Sequence, residues 1–275
     1  MQAPDVSLRR QILAALWSMV AVSGAFISLK TVAKRRRRMR LWWDDYLMLI
    51  SWLCLGVGSV FLTDATMHGL GRHIQLLDTD ERSALLRSGH VGAVLTMASS
   101  AWSKVSFALF LLRISSSGCT EWIRRGIWGI IVSLNAMLAV TITMTLISCR
   151  PTEKIWRPEI EGTCLDDSVK VFWVMALAVY SGVADLILAF LPWKIIWCLP
   201  VQRRDKVGLV AVMSLGIFAA MASFTRCAYV PAMVAQDFSF DGWKLVCWAV
   251  FEPTLTIVAA CVPVVRTFLR DLIHS

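Results

Sequence analysis

Charge is scarce in this chain. Only 17% of its 275 residues are Asp, Glu, Lys or Arg, where a soluble domain carries about 25%. Apolar residues make up 57%, and they run in blocks rather than in the stripes of a half-buried helix. That excludes an ordinary soluble basic protein and points to a polytopic membrane protein. Pro- or Gly-rich linkers, low-complexity tracts and soluble appendages are missing, so residues 1–275 read as one domain. There is no Cys-x-x-Cys or Cys/His spacing for zinc. There is no phosphate-binding loop ending in Gly-Lys-Ser or Gly-Lys-Thr, and no strand to carry a dinucleotide fingerprint. Neither a metal nor a cofactor is therefore expected.

What is there is hydrophobic length. The blocks are Ile12–Ala33, Leu41–Thr63, Val91–Leu112, Ile127–Ile147, Val169–Pro192, Val207–Pro231 and Leu245–Val265. Each is near the roughly 20 residues a helix needs to cross about 30 Å of hydrocarbon. In lipid such runs must satisfy their own backbone, which selects helix. The expected fold is all-α, a seven-transmembrane-helix bundle. The start, MQAPDVSLRRQ, has no clear cleavage site, so the first block reads as a retained span.

Loop cations set the expected orientation. Lys34–Arg40 holds six Lys or Arg in seven residues, Arg113–Arg125 adds three and Lys194–Lys206 adds four. On the other side Thr63–His90 and Ser148–Ser168 hold three each, and Gln236–Lys244 one. The N-terminus is expected to be lumenal and the C-terminus cytoplasmic, in the endoplasmic reticulum or plasma membrane. Of the eight cysteines, five lie in or beside spans, where a thiol behaves as a small apolar group. Cys119 falls in a cytoplasmic loop and is expected to stay reduced. Cys149 and Cys164 flank the second lumenal loop, where an oxidising lumen favours a disulfide.

The stretch KRRRRMRLWWDDYLML joins the first two blocks. Its cations read as a topology signal that also attracts an anionic leaflet; nucleic acid is excluded as a partner because the run lies between two spans. Trp42 and Trp43 read as interfacial residues. Asp44 and Asp45 open the second helix, where the dipole favours acids. One is expected to cap the helix and the other to pair with Lys104 or an arginine. Met48 stands where an aspartate-rich Asp-Asp-x-x-Asp motif needs its third acid, so a magnesium–diphosphate prenyltransferase is disfavoured.

Seven segments together resemble the fungal SAT4-like integral membrane proteins, also called the fungal rhodopsin-like domain family, to which PTH11-like receptors are related. They are WWDDYLML, HGLGRHI, WSKVSFALFLLRI, CRPTEKIWRPEIEGTC, VADLILAFLPWKIIWCLPVQRRDKVGL, SLGIFAAMASFTR and WAVFEPTLTIVAACVPVVR, in that order between Arg40 and Arg270. The resemblance implies a seven-helix fungal membrane protein; some members resemble receptors and others are associated with secondary metabolism. Retinal is not expected, since Leu245–Val265 holds no lysine for a Schiff base.

Ionisable residues inside a membrane are rare and default to function. Here they are Lys104, Asp185, Arg226 and Glu252. Counted at about 1.5 Å per residue from the lumenal ends of the blocks, Lys104 lies about 20 Å deep, Asp185 about 24 Å and Glu252 about 10 Å. Two layers follow: Lys104–Asp185 near Asp44 and Asp45, and Arg226–Glu252 under the HGLGRHI turn with His68 and His73. The plain reading is two ion pairs that hold helices in register. The chemical reading makes Glu252 a buried acid that protonates a lipophilic molecule, with a histidine taking the proton back. Of 13 tryptophans, Trp52, Trp102, Trp173 and Trp248 are candidates to line a pocket.

Three functions compete. The first is a cofactor-independent enzyme that cyclises or isomerises a terpenoid or polyketide-like intermediate. The second is a receptor for a small ligand or surface cue. The third is a membrane scaffold for pathway enzymes. The short tail after Val265, and the absence of Asp-Arg-Tyr and Asn-Pro-x-x-Tyr motifs, tilt the reading towards the enzyme. Its expected partners are the bilayer, a lipophilic small molecule and the pathway's other enzymes.

Overall fold

The computed structural model describes residues 3–38, 40, 42–71, 78–115, 121–157, 159–197, 206–233 and 238–274. Among these residues are seven α-helices: α1 Ala3–Arg36, α2 Trp43–Met67, α3 Thr79–Ser115, α4 Glu121–Ile147, α5 Asp167–Trp197, α6 Lys206–Tyr229 and α7 Phe238–His274. All seven are long and apolar enough to cross a membrane. Exposed apolar side chains such as Val132, Leu146, Phe172, Phe190 and Phe218 give the bundle a lipid-compatible surface. Many hydroxyls inside the spans return to their own helix; Ser59, Thr63 and Thr66 donate to carbonyls four residues back at 2.7–2.8 Å, which satisfies them without water.

Several helices outrun their hydrophobic blocks. α3 starts at Thr79 rather than near Val91, and α7 at Phe238 rather than Leu245. Polar turns can extend a helix beyond the hydrocarbon, and Asp80 and Glu81 in the first turn of α3 suit its dipole. α2 and α3 pack along most of their length. Two glycines permit the close approach: a Cβ on Gly92 would sit 2.8 Å from Leu62 and 3.2 Å from the Gly58 carbonyl. Where they join, Gly69 and Gly71 adopt φ of 118° and 95°, backbone that glycine accepts without strain.

Between α4 and α5 lies a short antiparallel ribbon, β1 Cys149–Arg150 with β2 Thr163–Cys164. Cys149 and Cys164 are paired residues in its register and form the expected disulfide. Cys119 lies outside the described residues. α7 touches α1, α2, α3 and α6, while α4 packs chiefly on α3. The main core runs the length of the bundle, from Ile12 and Leu16 through Leu55 and Leu188 to Ile257 and Val265.

Candidate functional site

The helical repeat decides which polar groups share a face. Ser100 and Lys104 are four apart on α3, Ser181 and Asp185 are four apart on α5, and Ser223 and Arg226 are three apart on α6. At these spacings side chains lie one above the other. All three faces turn towards Glu252 on α7, near the middle of the bundle.

Lys104 Nζ lies 2.5 Å from Glu252 Oε1 and 3.3 Å from Asp185 Oδ2. It also donates to Ser100 Oγ at 2.8 Å and Ser181 Oγ at 2.9 Å. Both hydroxyls in turn donate to Glu252 Oε1, at 2.7 and 2.6 Å. Arg226 Nη1 stands 3.2 Å from Glu252 Oε2, and Ser223 Oγ reaches Asp185 Oδ2 at 3.4 Å. Lys104 and Glu252 are wholly buried, and Asp185 and Arg226 nearly so. Two cations and two carboxylates thus form one neutral network across α3, α5, α6 and α7.

The two layers expected from depth counting are therefore one. The error lay in taking the edges of the hydrophobic blocks as one common depth: α3 begins at Thr79, well before Val91, and α7 at Phe238, before Leu245. The contacts with Lys104 and Arg226 set Glu252 level with its partners rather than near the surface. The bonding also bears on the acid role. Glu252 Oε1 accepts from three donors, the bonding of an ionised carboxylate, which is an acceptor only.

The histidines do not join this network. His68 caps the C-terminus of α2, half exposed, with Nδ1 2.9 Å from the Asp64 carbonyl. His73 lies outside the described residues.

Asp44 and Asp45 have partners other than Lys104. α1 brings Lys30 and Lys34, four residues apart, against them. Lys34 Nζ lies 2.5 Å from Asp45 Oδ2, and Lys30 Nζ 3.1 Å from Asp45 Oδ1. Both lysines stand 3.6–3.7 Å from Asp44 Oδ2, which has no hydrogen-bond partner. Asp45 also accepts from the Trp42 backbone N–H at 3.2 Å, so it is the capping acid. Lys104 is thus not the only deep lysine: Lys30 and Lys34 are 3% exposed. Their signal was the i, i+4 spacing on the face of α1 that meets the acids, hidden because Lys34 opens a run of cations.

Beside the central network is a small cleft open to the outside; the empty space in and in front of it, open surroundings included, is about 420 Å³. Met97, Leu134, Met137 and Leu138 give apolar walls, and Ser100, Ser181 and Arg226 form its polar side. An apolar pocket with a few convergent polar groups is the usual form of a small-molecule site. None of the four candidate tryptophans lines it. Trp52 instead donates to the Val20 carbonyl at 3.1 Å, tying α2 to α1. Trp248 meets Phe251 edge to face. Among the described residues no three His, Cys, Asp or Glu side chains converge as a metal site. The serines were the residues that sequence reasoning missed. Their signal was a hydroxyl one helical turn before Lys104, Asp185 and Arg226.

Comparison with known proteins places this geometry in a family. A SAT4 family membrane protein of Emericella nidulans is 26% identical over 218 residues, covering 77% of this chain and 53% of the relative. Satratoxin biosynthesis SC1 cluster protein 4 of Stachybotrys chartarum is 31% identical over 152 residues, 54% of this chain and 49% of the relative. Fugralins biosynthesis cluster protein 2 of Gibberella zeae is 28% identical over 151 residues, 52% of this chain and 36% of the relative. The chain spans about half or less of the length of these curated relatives. No solved structure matches it. Residues 29–271 match the fungal rhodopsin domain, from the end of α1 to the end of α7, and the chain belongs to that family of integral membrane proteins.

Proposed function

We propose that this chain is an intramembrane enzyme of fungal secondary metabolism, which isomerises or cyclises a lipophilic intermediate by proton transfer. One observation carries the reading: Ser100 and Ser181 belong both to the charge network and to the cleft wall. The names of two relatives, each a biosynthesis cluster protein, support the metabolic context. The reading does not rest on the length of the tail.

The chemistry follows from the donors. A molecule in the cleft gives a proton from carbon to Ser181 Oγ as the serine's own proton passes to Glu252 Oε1. The C–H electron pair becomes a shifted double bond or attacks a second carbon. The relay then runs backwards and returns the proton at another position, so the product is an isomer with no atom gained or lost. Lys104 holds both hydroxyls and balances the carboxylate through the cycle. Glu252 is then a base acting through serine rather than an acid acting directly. Proton transfer of this kind calls for neither metal nor cofactor. The molecule reaches the cleft from the bilayer, and neighbouring pathway enzymes in the endoplasmic reticulum or plasma membrane supply it.

Product profiling in the producing fungus tests this. Deletion and Glu252→Gln should lose the same end product and accumulate the same isomeric precursor, with the variant protein still present in the membrane. An unchanged product spectrum on deletion ends the reading. A second reading, a ligand sensor, draws on one feature: the cleft shares Arg226 with a network that ties four helices. A molecule that drew Arg226 away from Glu252 would loosen α6. A ligand-dependent second-messenger response in the deletion-complemented strain, with no change in product, would select it.

A further inference from the structure

We infer that the polar end of the cleft is built for a neutral carbonyl oxygen on an otherwise apolar molecule, received by the Nε–H of Arg226. This rests on the reading of the cleft as a small-molecule site and names the class of molecule.

The argument is an inventory of donors. Each hydroxyl on the wall has one proton. Those of Ser100 and Ser181 go to Glu252 Oε1. That of Thr141 goes to the Met137 carbonyl at 2.7 Å. Ser133 donates to the Ile130 carbonyl, so the Tyr180 hydroxyl donates to Ser133 Oγ. Arg226 is different. Its side chain is 7% exposed and lies on the cleft wall; its Nε and the neighbouring Glu252 Oε2 are both buried without a hydrogen-bond partner, Nη1 meeting Oε2 as an ion pair only. Among the described residues it is the one buried donor on this wall left without an acceptor. A buried donor without an acceptor is costly, and an oxygen brought by the bound molecule would relieve it.

Charge selects which oxygen. Lys104 and Arg226 are already balanced by Asp185 and Glu252. A carboxylate or phosphate would leave a net negative charge in a water-poor site, next to a carboxylate. A ketone or ester oxygen accepts the same hydrogen bond and adds no charge. The apolar walls of Met97, Leu134 and Leu138 suit the hydrocarbon attached to it. The same hydrogen bond would steady negative charge developing on that oxygen if a neighbouring carbon lost its proton.

The test uses the purified chain in lipid nanodiscs, with radiolabelled dodecan-2-one as probe and dodecan-2-one, dodecane and dodecanoate as competitors. Saturable binding should appear, with dodecane and dodecanoate displacing the probe at least tenfold more weakly than the ketone. Arg226→Lys keeps the cation but has no Nε–H at that position; it should weaken binding at least fivefold. Leu138→Trp, which fills the cleft away from the charge network, should abolish it, with thermal unfolding showing that both variants remain folded. If Arg226→Lys does not fold, the order of the three competitors on the unaltered chain decides alone. Equal displacement by dodecane would overturn the carbonyl assignment and leave an apolar cleft. Tighter displacement by dodecanoate would overturn it in favour of an anion site. Absence of saturable binding, or binding that Leu138→Trp does not alter, would remove the cleft itself as the site.

Discussion

Two neutral clusters of buried charge hold this bundle, and they are built from opposite kinds of neighbour. The end cluster of Lys30, Lys34, Asp44 and Asp45 joins helices that follow one another in the chain. The central cluster of Lys104, Asp185, Arg226 and Glu252 joins four helices drawn from positions 104 to 252. In the end cluster the carboxylates are met by lysines from one helix and by the capped backbone. In the central one three serines fill the spaces between charges, and one side opens on a cleft. Equal charge counts therefore do not mean equal roles. A pair between chain neighbours sets a helix hairpin; a network across distant helices, wetted by hydroxyls and facing a cavity, has partners through which a proton can move.

The comparison breaks most visibly at Lys104. Lys104→Met leaves two buried carboxylates facing only Arg226. Loss of one partner from such a pair costs about 3–5 kcal/mol, so the variant should fail to accumulate or unfold far below the parent in detergent. Adding Asp185→Leu should recover part of the loss, since the double change leaves Arg226–Glu252 balanced; a double-mutant cycle measures the coupling. Full stability in the single variant would mean that the network is not formed.

At the end cluster the same kind of change should cost less. Lys34→Ala leaves Lys30 against both acids and sits at a helix end, where polar surroundings can replace it. A loss of about 1–3 kcal/mol is expected, read as a lower unfolding temperature. Asp44→Asn should likewise impair folding more than turnover. Product formed per folded molecule should be unchanged in both. A well-folded Asp44→Asn variant without activity would place chemistry at the end cluster instead.

Ser181→Ala separates stability from function. It removes one neutral hydroxyl, worth about 1 kcal/mol, yet breaks the relay, so turnover should fall by about 10²-fold or more. Unchanged turnover would exclude Ser181 from proton transfer. The smallest effect is expected from Ser106→Ala. Its hydroxyl donates to the Asp44 carbonyl at 2.6 Å, and about 0.5–1.5 kcal/mol should be lost with no change in product.

Legibility followed the range of each interaction. The seven spans could be read because lipid forces every crossing segment to be a long apolar helix. The paired cysteines could be read because they flank one short loop. The four intramembrane charges stood out because such residues are rare in hydrocarbon. Their partners were less legible. Lys30 was passed over because its role depends on how α1 lies against α2, and Glu252 was set too high because the edges of hydrophobic blocks on different helices do not mark one common depth.

By itself, then, the sequence determined the number of helices, the bond closing the ribbon and the four charges inside the spans from α3 to α7, since each follows from local composition and the cost of exposing backbone or charge to lipid. Only the tertiary structure decided that those four charges form one network, that three serines complete it, and that Arg226 faces a cleft with one donor to spare. Those facts depend on the rotation and depth of helices far apart in the chain, which the period of a single helix does not encode.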